Sequence, residues 1–115
     1  MSDKSSSLIF RALADPTRRA ILAALRRGPL LAGQVAARFP QSRPAVSRHL
    51  RVLRQARLVA ERRHGRHRIT ELNPEPLRQV DDWIADYRPL WSARLGRLKS
   101  LVEKGGDHER PDRKR

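Results

Sequence analysis

The chain has 115 residues, with 26 Lys or Arg against 12 Asp or Glu, giving a formal net charge of +14 and a pI near 11.8. That length suits one small domain with a modest core, and that charge favours an anionic partner, nucleic acid first and an anionic membrane surface second. Without cysteine there is no disulfide, zinc-thiolate or thiol-redox chemistry, and no stretch resembles a membrane span or a signal peptide, so a cytoplasmic protein is expected.

Residues 1–7 are polar and expected to be flexible. Leu8–Ala14 reads as a short helix with Leu8, Ile9, Ala12 and Leu13 on one side. Asp15-Pro16 is a start signal, Asp as cap and Pro at the first helical position. The following helix, Thr17–Arg27, turns Ile21, Leu22 and Leu25 inward and is stopped by Gly28-Pro29. Leu31–Phe39 reads as a third short helix with Val35, Ala36 and Phe39 inward, and Phe39-Pro40-Gln41 is a tight connection out of it.

Ser42–Arg57 is the most informative stretch. Ser42 is a good N-cap, and Pro44 falls in the first turn, where a missing N–H costs nothing. Val46, Leu50 and Leu53 form one apolar stripe. Pro44, Ser47, Arg48, Arg51 and Gln55 lie opposite it, with Ala45 and Val52 at the edge, and the segment holds no acidic residue. Two helices joined by a short turn, the second one basic, form a helix-turn-helix, although any helical hairpin in a bundle shares that pattern.

After Arg57 the periodicity changes. Leu58–Arg63 and Arg66–Leu72 read as two short strands about His64-Gly65. A hairpin after a helix-turn-helix is a wing. Arg62, Arg63, His64, Arg66, His67 and Arg68 around its tip suit phosphate or minor-groove contact better than a core. From Ser42 to Leu72 there are nine arginines against Glu61 and Glu71 alone.

Asn73-Pro74 opens a long helical segment, 73–104. Leu77, Val80, Ile84, Tyr87, Trp91, Leu95, Leu98 and Leu101/Val102 recur at spacings of 3 and 4, and Trp83 and Leu90 widen the stripe. Unbroken, it would run about 45 Å, too long for its own chain to cover, so a second copy packed with two-fold symmetry is expected. The competing reading is that both Trp cap the monomer core. Pro89 should kink or split the helix near Asp86–Pro89. Gly105-Gly106 should stop it, leaving 105–115 as a disordered basic tail.

LADPTRRAILAAL, SRPAVSRHLRVLRQARLV and HGRHRITEL resemble the winged helix-turn-helix repressors of the ArsR/SmtB family, most specifically in PAVSRHLRVLR. PLRQVDDWIADYRPLW, residues 76–91, resembles the last helix of a subgroup without known metal sites. The resemblance implies a mostly α fold with a small β-hairpin over residues 8–104. It also implies a homodimer formed by the first and last helices, and repression at a palindromic double-stranded operator. Leu8, Leu77, Val80, Trp83, Ile84, Tyr87, Trp91, Leu95 and Leu98 are then the candidate dimer contacts. By position, DNA contacts fall on Ser42, Arg43, Ala45, Ser47, Arg48, His49 and Arg51, with wing contacts from Arg63, His64, Arg66, His67 and Arg68.

Chemistry assigns roles separately. Arg43 and Arg48 suit guanine O6/N7, Ala45 a thymine methyl, and Ser47, His49 and Arg51 phosphates or base edges. His49 lies towards the apolar stripe and could equally be a packed core histidine. The chain lacks the Cys-x-Cys of the family's metal sensors, and 74–104 has no histidine, so no metal or cofactor is expected. Leu31 stands where the family often has a Ser or Thr cap, and Arg57 where Gly usually ends the recognition helix. No enzyme is expected, since there is no cysteine nucleophile, Gly-rich phosphate loop or carboxylate pair; Asp81 and Asp82, adjacent on a helix, point apart. Two other functions compete: an architectural or RNA-binding winged helix with little sequence preference, and a protein-interaction module using the aromatic last helix. The operator sequence and any small-molecule effector are not legible.

Overall fold

The computed structural model describes residues 3–105. In chain order these are α1 (Asp3–Leu13), α2 (Pro16–Leu25), β1 (Leu30–Leu31), α3 (Ala32–Ala37), α4 (Arg43–Gln55), β2 (Val59–His64), β3 (His67–Leu72), α5 (Glu75–Ala85) and α6 (Arg88–Gly105). The chain divides into two compact units, Met1–Val80 and Asp81–Arg115. The predicted mostly helical winged helix-turn-helix is the fold of the first unit. Of the stretch expected as a disordered tail, 105–115, Gly105 is the last residue of α6, and residues 106–115 lie outside the described residues.

In the first unit, Ile9 and Ala12 of α1, Ile21, Leu22 and Leu25 of α2, Val35 of α3, and Val46, Leu50 and Leu53 of α4 share one core. Leu58 and Val59 close it from the start of the wing. These are the residues that the 3.6-residue spacing turns inward. Helix α1 starts at Asp3, ahead of the Leu8 start that the apolar pattern suggests. Serine costs a helix only about 0.5 kcal/mol against alanine, so burial of Ile9 and Ala12 in the next turns carries the extra residues.

Asp15 caps α2 by accepting the Arg18 backbone N–H at 3.0 Å, with Pro16 behind it. That hydrogen bond, with the nearby Arg18 guanidinium adding to it, holds the Asp15 carboxyl below its ordinary 3.8. A lowered folded pKa contributes stability above the unfolded value, and the contribution disappears as pH falls through the folded one. Asp15→Asn keeps an acceptor at the cap but not the charge, so unfolding free energy should fall modestly at pH 7, converge on the parent value in acid, and become less pH-dependent below 3.8. Urea titrations at pH 7 and in acid check this; an unchanged acid limb would contradict it.

Between α2 and α3 the structure departs from the sequence reading. Gly28 takes φ 147°, a backbone that favours glycine. Leu30 and Leu31 then form a strand on β3, Leu30 opposite Thr70 and Leu31 opposite Ile69. The sheet is therefore three-stranded, in the order β1-β3-β2, where the sequence predicts a hairpin alone. A two-residue strand is too short to leave a period-2 signature. It also removes Leu31 from the predicted third helix, which runs only from Ala32 to Ala37. Leu31 offers no capping oxygen, but Gln34 Oε1 accepts its backbone N–H at 2.9 Å, which supplies half of a capping box.

Helix α4 is capped by Ser42, whose Oγ accepts the Ala45 N–H at 3.3 Å, and it ends in a Schellman motif. The Arg57 N–H reaches the Arg54 carbonyl and the Leu58 N–H the Leu53 carbonyl, both at 2.9 Å. Leu53 and Leu58, fully buried, supply the apolar contact of that motif. Arg57 sits at φ 63°, left-handed as the sequence comparison with glycine requires. Asn73 fixes this corner: its Nδ2 donates to the Arg57 carbonyl at 2.8 Å while its Oδ1 accepts the Glu75 N–H at 3.3 Å, opening α5. A left-handed non-glycine residue costs about 1–2 kcal/mol, and glycine returns part of that through unfolded-chain entropy. Arg57→Gly should therefore raise the unfolding free energy by about 0.5–1 kcal/mol. Denaturant melts would show the midpoint rising at constant slope; a fall would mean that the Arg57 side chain holds the corner.

In the second unit the predicted long helix is split. It breaks at Asp86-Tyr87, within the range that Pro89 marks. Pro89 sits in the first turn of α6, where it needs no donor. The Asp86 and Tyr87 N–H groups turn back to Trp83 and Ile84 carbonyls, and Arg88 pairs with Asp81 across the corner.

Candidate nucleic-acid interface

Helix α4 presents a cationic face because its apolar stripe is fully used. Val46, Leu50 and Leu53 are buried, while Arg43, Ser47, Arg48 and Arg51 are exposed. Ala45 is half-buried at the edge, and Ser42 is exposed with its hydroxyl engaged in the cap. Among the described residues, Arg43, Arg48 and Arg51 have no carboxylate within ion-pair distance. The turn before α4 is pinned by Gln41, whose Nε2 donates to Thr17 Oγ1 at 2.9 Å.

His49 stands apart from this face. It is half-buried, with Nδ1 3.2 Å from Arg18 Nη1 and 3.9 Å from Asp15 Oδ2. A guanidinium can only donate, so Nδ1 is the acceptor in this contact. Of the two readings the sequence leaves open for His49, this placement favours the packed one. Arg18 was missed by sequence reading. Its Nε donates to the Ala12 carbonyl at 2.9 Å and its Nη2 to the Arg11 carbonyl at 2.8 Å. One side chain thus closes the end of α1, lies on α2 and reaches α4. Arg19 adds a bond to the Leu13 carbonyl at 2.8 Å. The only sequence signal was two arginines directly after a helix start.

The wing is a regular antiparallel hairpin running from Val59↔Leu72 to His64↔His67. Its loop is Gly65-Arg66, with Gly65 at φ 65° and Arg66 outside the positive-φ region, the pattern of a type II′ turn. Arg63, His64, Arg66, His67 and Arg68 are all exposed at the tip. His64 and His67 face each other across the last pair, but no group of three or more metal-ligating side chains occurs among the described residues. Alternation puts Val59, Glu61 and Arg63 on one face of β2, opposite Leu72, Thr70 and Arg68. Arg63 and Arg68 are thus direct cross-strand partners. Glu61, a second residue the sequence reading did not single out, lies 4.0 Å from Arg54 of α4 and 3.8 Å from Arg68. Between α3, α4 and the wing is a groove of about 170 Å³ whose charged lining is Arg43, Arg51, Arg54, Glu61 and Arg68. On the other face Arg62 donates to Glu71 at 3.0 Å.

The candidate dimer residues fall into two groups. Leu8, Leu77 and Val80 are partly buried against the core of the first unit. In the second unit Ile84 is half-buried, and Trp83, Tyr87, Trp91, Leu95 and Leu98 are exposed. Trp83 and Tyr87 pack with ring centroids 5.1 Å apart. Leu95 is 66 % and Leu101 65 % exposed, and Leu90 and Val102 extend the same surface. No described helix is long and apolar enough to cross a membrane.

A helix-turn-helix domain family matches residues 13–62, spanning α2 through most of β2. The chain is 41 % identical to the HTH-type transcriptional regulator Rv2034 of Mycobacterium tuberculosis over 104 residues, covering 90 % of this chain and 94 % of that protein. It is 37 % identical to the transcriptional repressor SdpR of Bacillus subtilis, over 69 % of this chain and 88 % of that one. Among solved structures, the ArsR family transcriptional regulator RHA00566 superposes with a TM-score of 0.73 at 34 % identity, covering 80 % of this chain and 95 % of its own. With the arginine-faced helix and the wing in place, the chain belongs to the ArsR family of winged helix-turn-helix proteins and is a DNA-binding transcriptional regulator.

Proposed function

We propose that the protein is a homodimeric repressor that binds a palindromic operator, inserting α4 of each copy into successive major grooves. The observation that carries this is the exposed row Arg43, Ser47, Arg48 and Arg51, whose arginines lack carboxylate partners among the described residues, on a helix whose other side is fully buried. A guanidinium so placed has no internal use, and its fork fits guanine O6/N7. Arg43 and Arg48 are assigned to base edges, Ala45 to a thymine methyl, and Ser42, Ser47 and Arg51 to phosphates or base edges. Arg63, His64, Arg66, His67 and Arg68 of the wing neutralise phosphate or enter the minor groove. His49 acts from behind, through Arg18, rather than as a base reader. Repression, rather than activation, follows the function named for SdpR.

The copies join through Leu8, Leu77, Val80, Trp83, Ile84, Tyr87, Trp91, Leu95 and Leu98. The exposed members of this set, Trp83, Tyr87, Trp91, Leu95 and Leu98, with Arg94, Arg97 and Lys99 beside them, form the kind of apolar surface that marks a protein contact.

Binding of a randomised duplex library tests the assignment. Arg48→Ala should relax base preference at one position per half-site, with a loss of about tenfold to a hundredfold for the best site. Arg66→Ala should weaken all sequences alike and lower the salt slope by about 1. Uniform loss for both variants would favour the architectural, sequence-indifferent reading.

A further inference from the structure

We infer that Glu61 is a specificity-determining residue: it neutralises Arg54 and Arg68 at the back of the groove so that phosphate attraction does not swamp base reading. The stretch from Ser42 to Leu72 has nine arginines and two carboxylates, and the two are differently placed. Glu71 pairs with Arg62 on the outer face of the hairpin. Glu61 lies on the inner face, directly opposite buried Thr70, and its side chain is only 23 % exposed. One oxygen is directed at Arg54 on the recognition helix, the other at Arg68 on the wing.

A carboxylate on a DNA-facing surface weakens every DNA complex, so its position needs a reason. Cross-strand pairing supplies one. Arg63 and Arg68 stand directly opposite each other, an arrangement that destabilises a hairpin. Glu61, one pair inward on the same face, sets an opposite charge 3.8 Å from Arg68 and so offsets that repulsion. Its second contact does the same for Arg54, which projects beside Arg43 and Arg51 in the groove. With Glu61 present, Arg54 and Arg68 count as half-neutralised pairs. Without it, both gain full strength as phosphate ligands, most of all on a duplex where no base contact fixes the register of α4. The inference rests on DNA binding by the α4 face but not on the dimer or the operator symmetry.

The test compares a selected site with a random-sequence duplex, by anisotropy from low to moderate salt, using the full chain. Glu61→Gln keeps the shape and removes the charge. It should bind the random duplex about eightfold more tightly at 0.1 M salt for each cation released, with the salt slope steeper by about 0.9 each. The selected site should gain less, so the specificity ratio falls. Adding Arg54→Gln or Arg68→Gln to Glu61→Gln should return the slope towards the parent value, and Glu61→Asp should preserve it. If Glu61→Gln leaves the random-duplex slope unchanged, or weakens both duplexes together, Glu61 is only a structural strut and the inference fails. If the parent protein binds neither duplex, the DNA-binding reading fails first.

Discussion

Leu95→Glu combined with Leu98→Glu on α6 is expected to give a folded monomer that binds its operator at least a hundredfold more weakly. Both side chains are more than half exposed in the single chain, and so are Leu90, Trp91 and Leu101 beside them. Each leucine covered by a second copy contributes about 1.5–3 kcal/mol. Two carboxylates at the centre of that contact would have to be desolvated without matched partners. Because the mutated residues lie outside the core of the first unit, the helix-turn-helix itself should melt as before. The large loss on DNA comes from avidity: two half-sites bound by one molecule gain 10²–10⁴ over one. Light scattering reads the mass, and titration of a single half-site duplex should show affinity unchanged. A variant that remains dimeric would move the interface elsewhere and leave the aromatic surface of Trp83, Tyr87 and Trp91 in need of another partner.

Arg18→Ala is expected to lower the unfolding free energy by about 3 kcal/mol, from three lost hydrogen bonds at about 1 kcal/mol each. The Ala12 and Arg11 carbonyls lose the donors that close α1, and His49 loses its neighbour on α2. Arg19→Ala, which removes one bond to the Leu13 carbonyl on an exposed side chain, should cost less than about 1 kcal/mol and serves as the control. Urea denaturation separates the two. Equal costs would mean that Arg18 contributes surface charge only. Since α1, α2 and α4 share this one guanidinium, Arg18→Ala should also reduce operator affinity with its salt slope intact, because no phosphate contact is removed.

Much of this architecture is legible in the residues. Ser42, Pro44 and the Val46/Leu50/Leu53 stripe specify α4 through its cap, its first turn and its buried side, all of which are local properties. The corner at Arg57 was signalled only by the family resemblance, which puts a glycine there; the return of Leu58 to Leu53 is visible only after folding. Pro89 marks the break between α5 and α6 because a missing donor leaves few alternatives. What escapes is non-local. Strand β1 exists only because Thr70 and Ile69 lie alongside it, and two residues carry no periodicity of their own. Arg18 and Glu61 resemble ordinary surface charges in the sequence. Their roles depend on which helix or strand comes within about 4 Å after folding. His49 was ambiguous for the same reason: 100° of helical rotation places it at an edge, and only the neighbouring helix decides what it meets.

Selection of duplexes from a random pool by the full-length protein tests the central claim most directly. Two copies presenting paired α4 helices should recover an inverted repeat whose half-sites lie about 10–10.5 bp apart centre to centre, with Arg48→Ala blurring the same position in both halves. Recovery of a single asymmetric motif, or of no preferred sequence at all, would contradict the account.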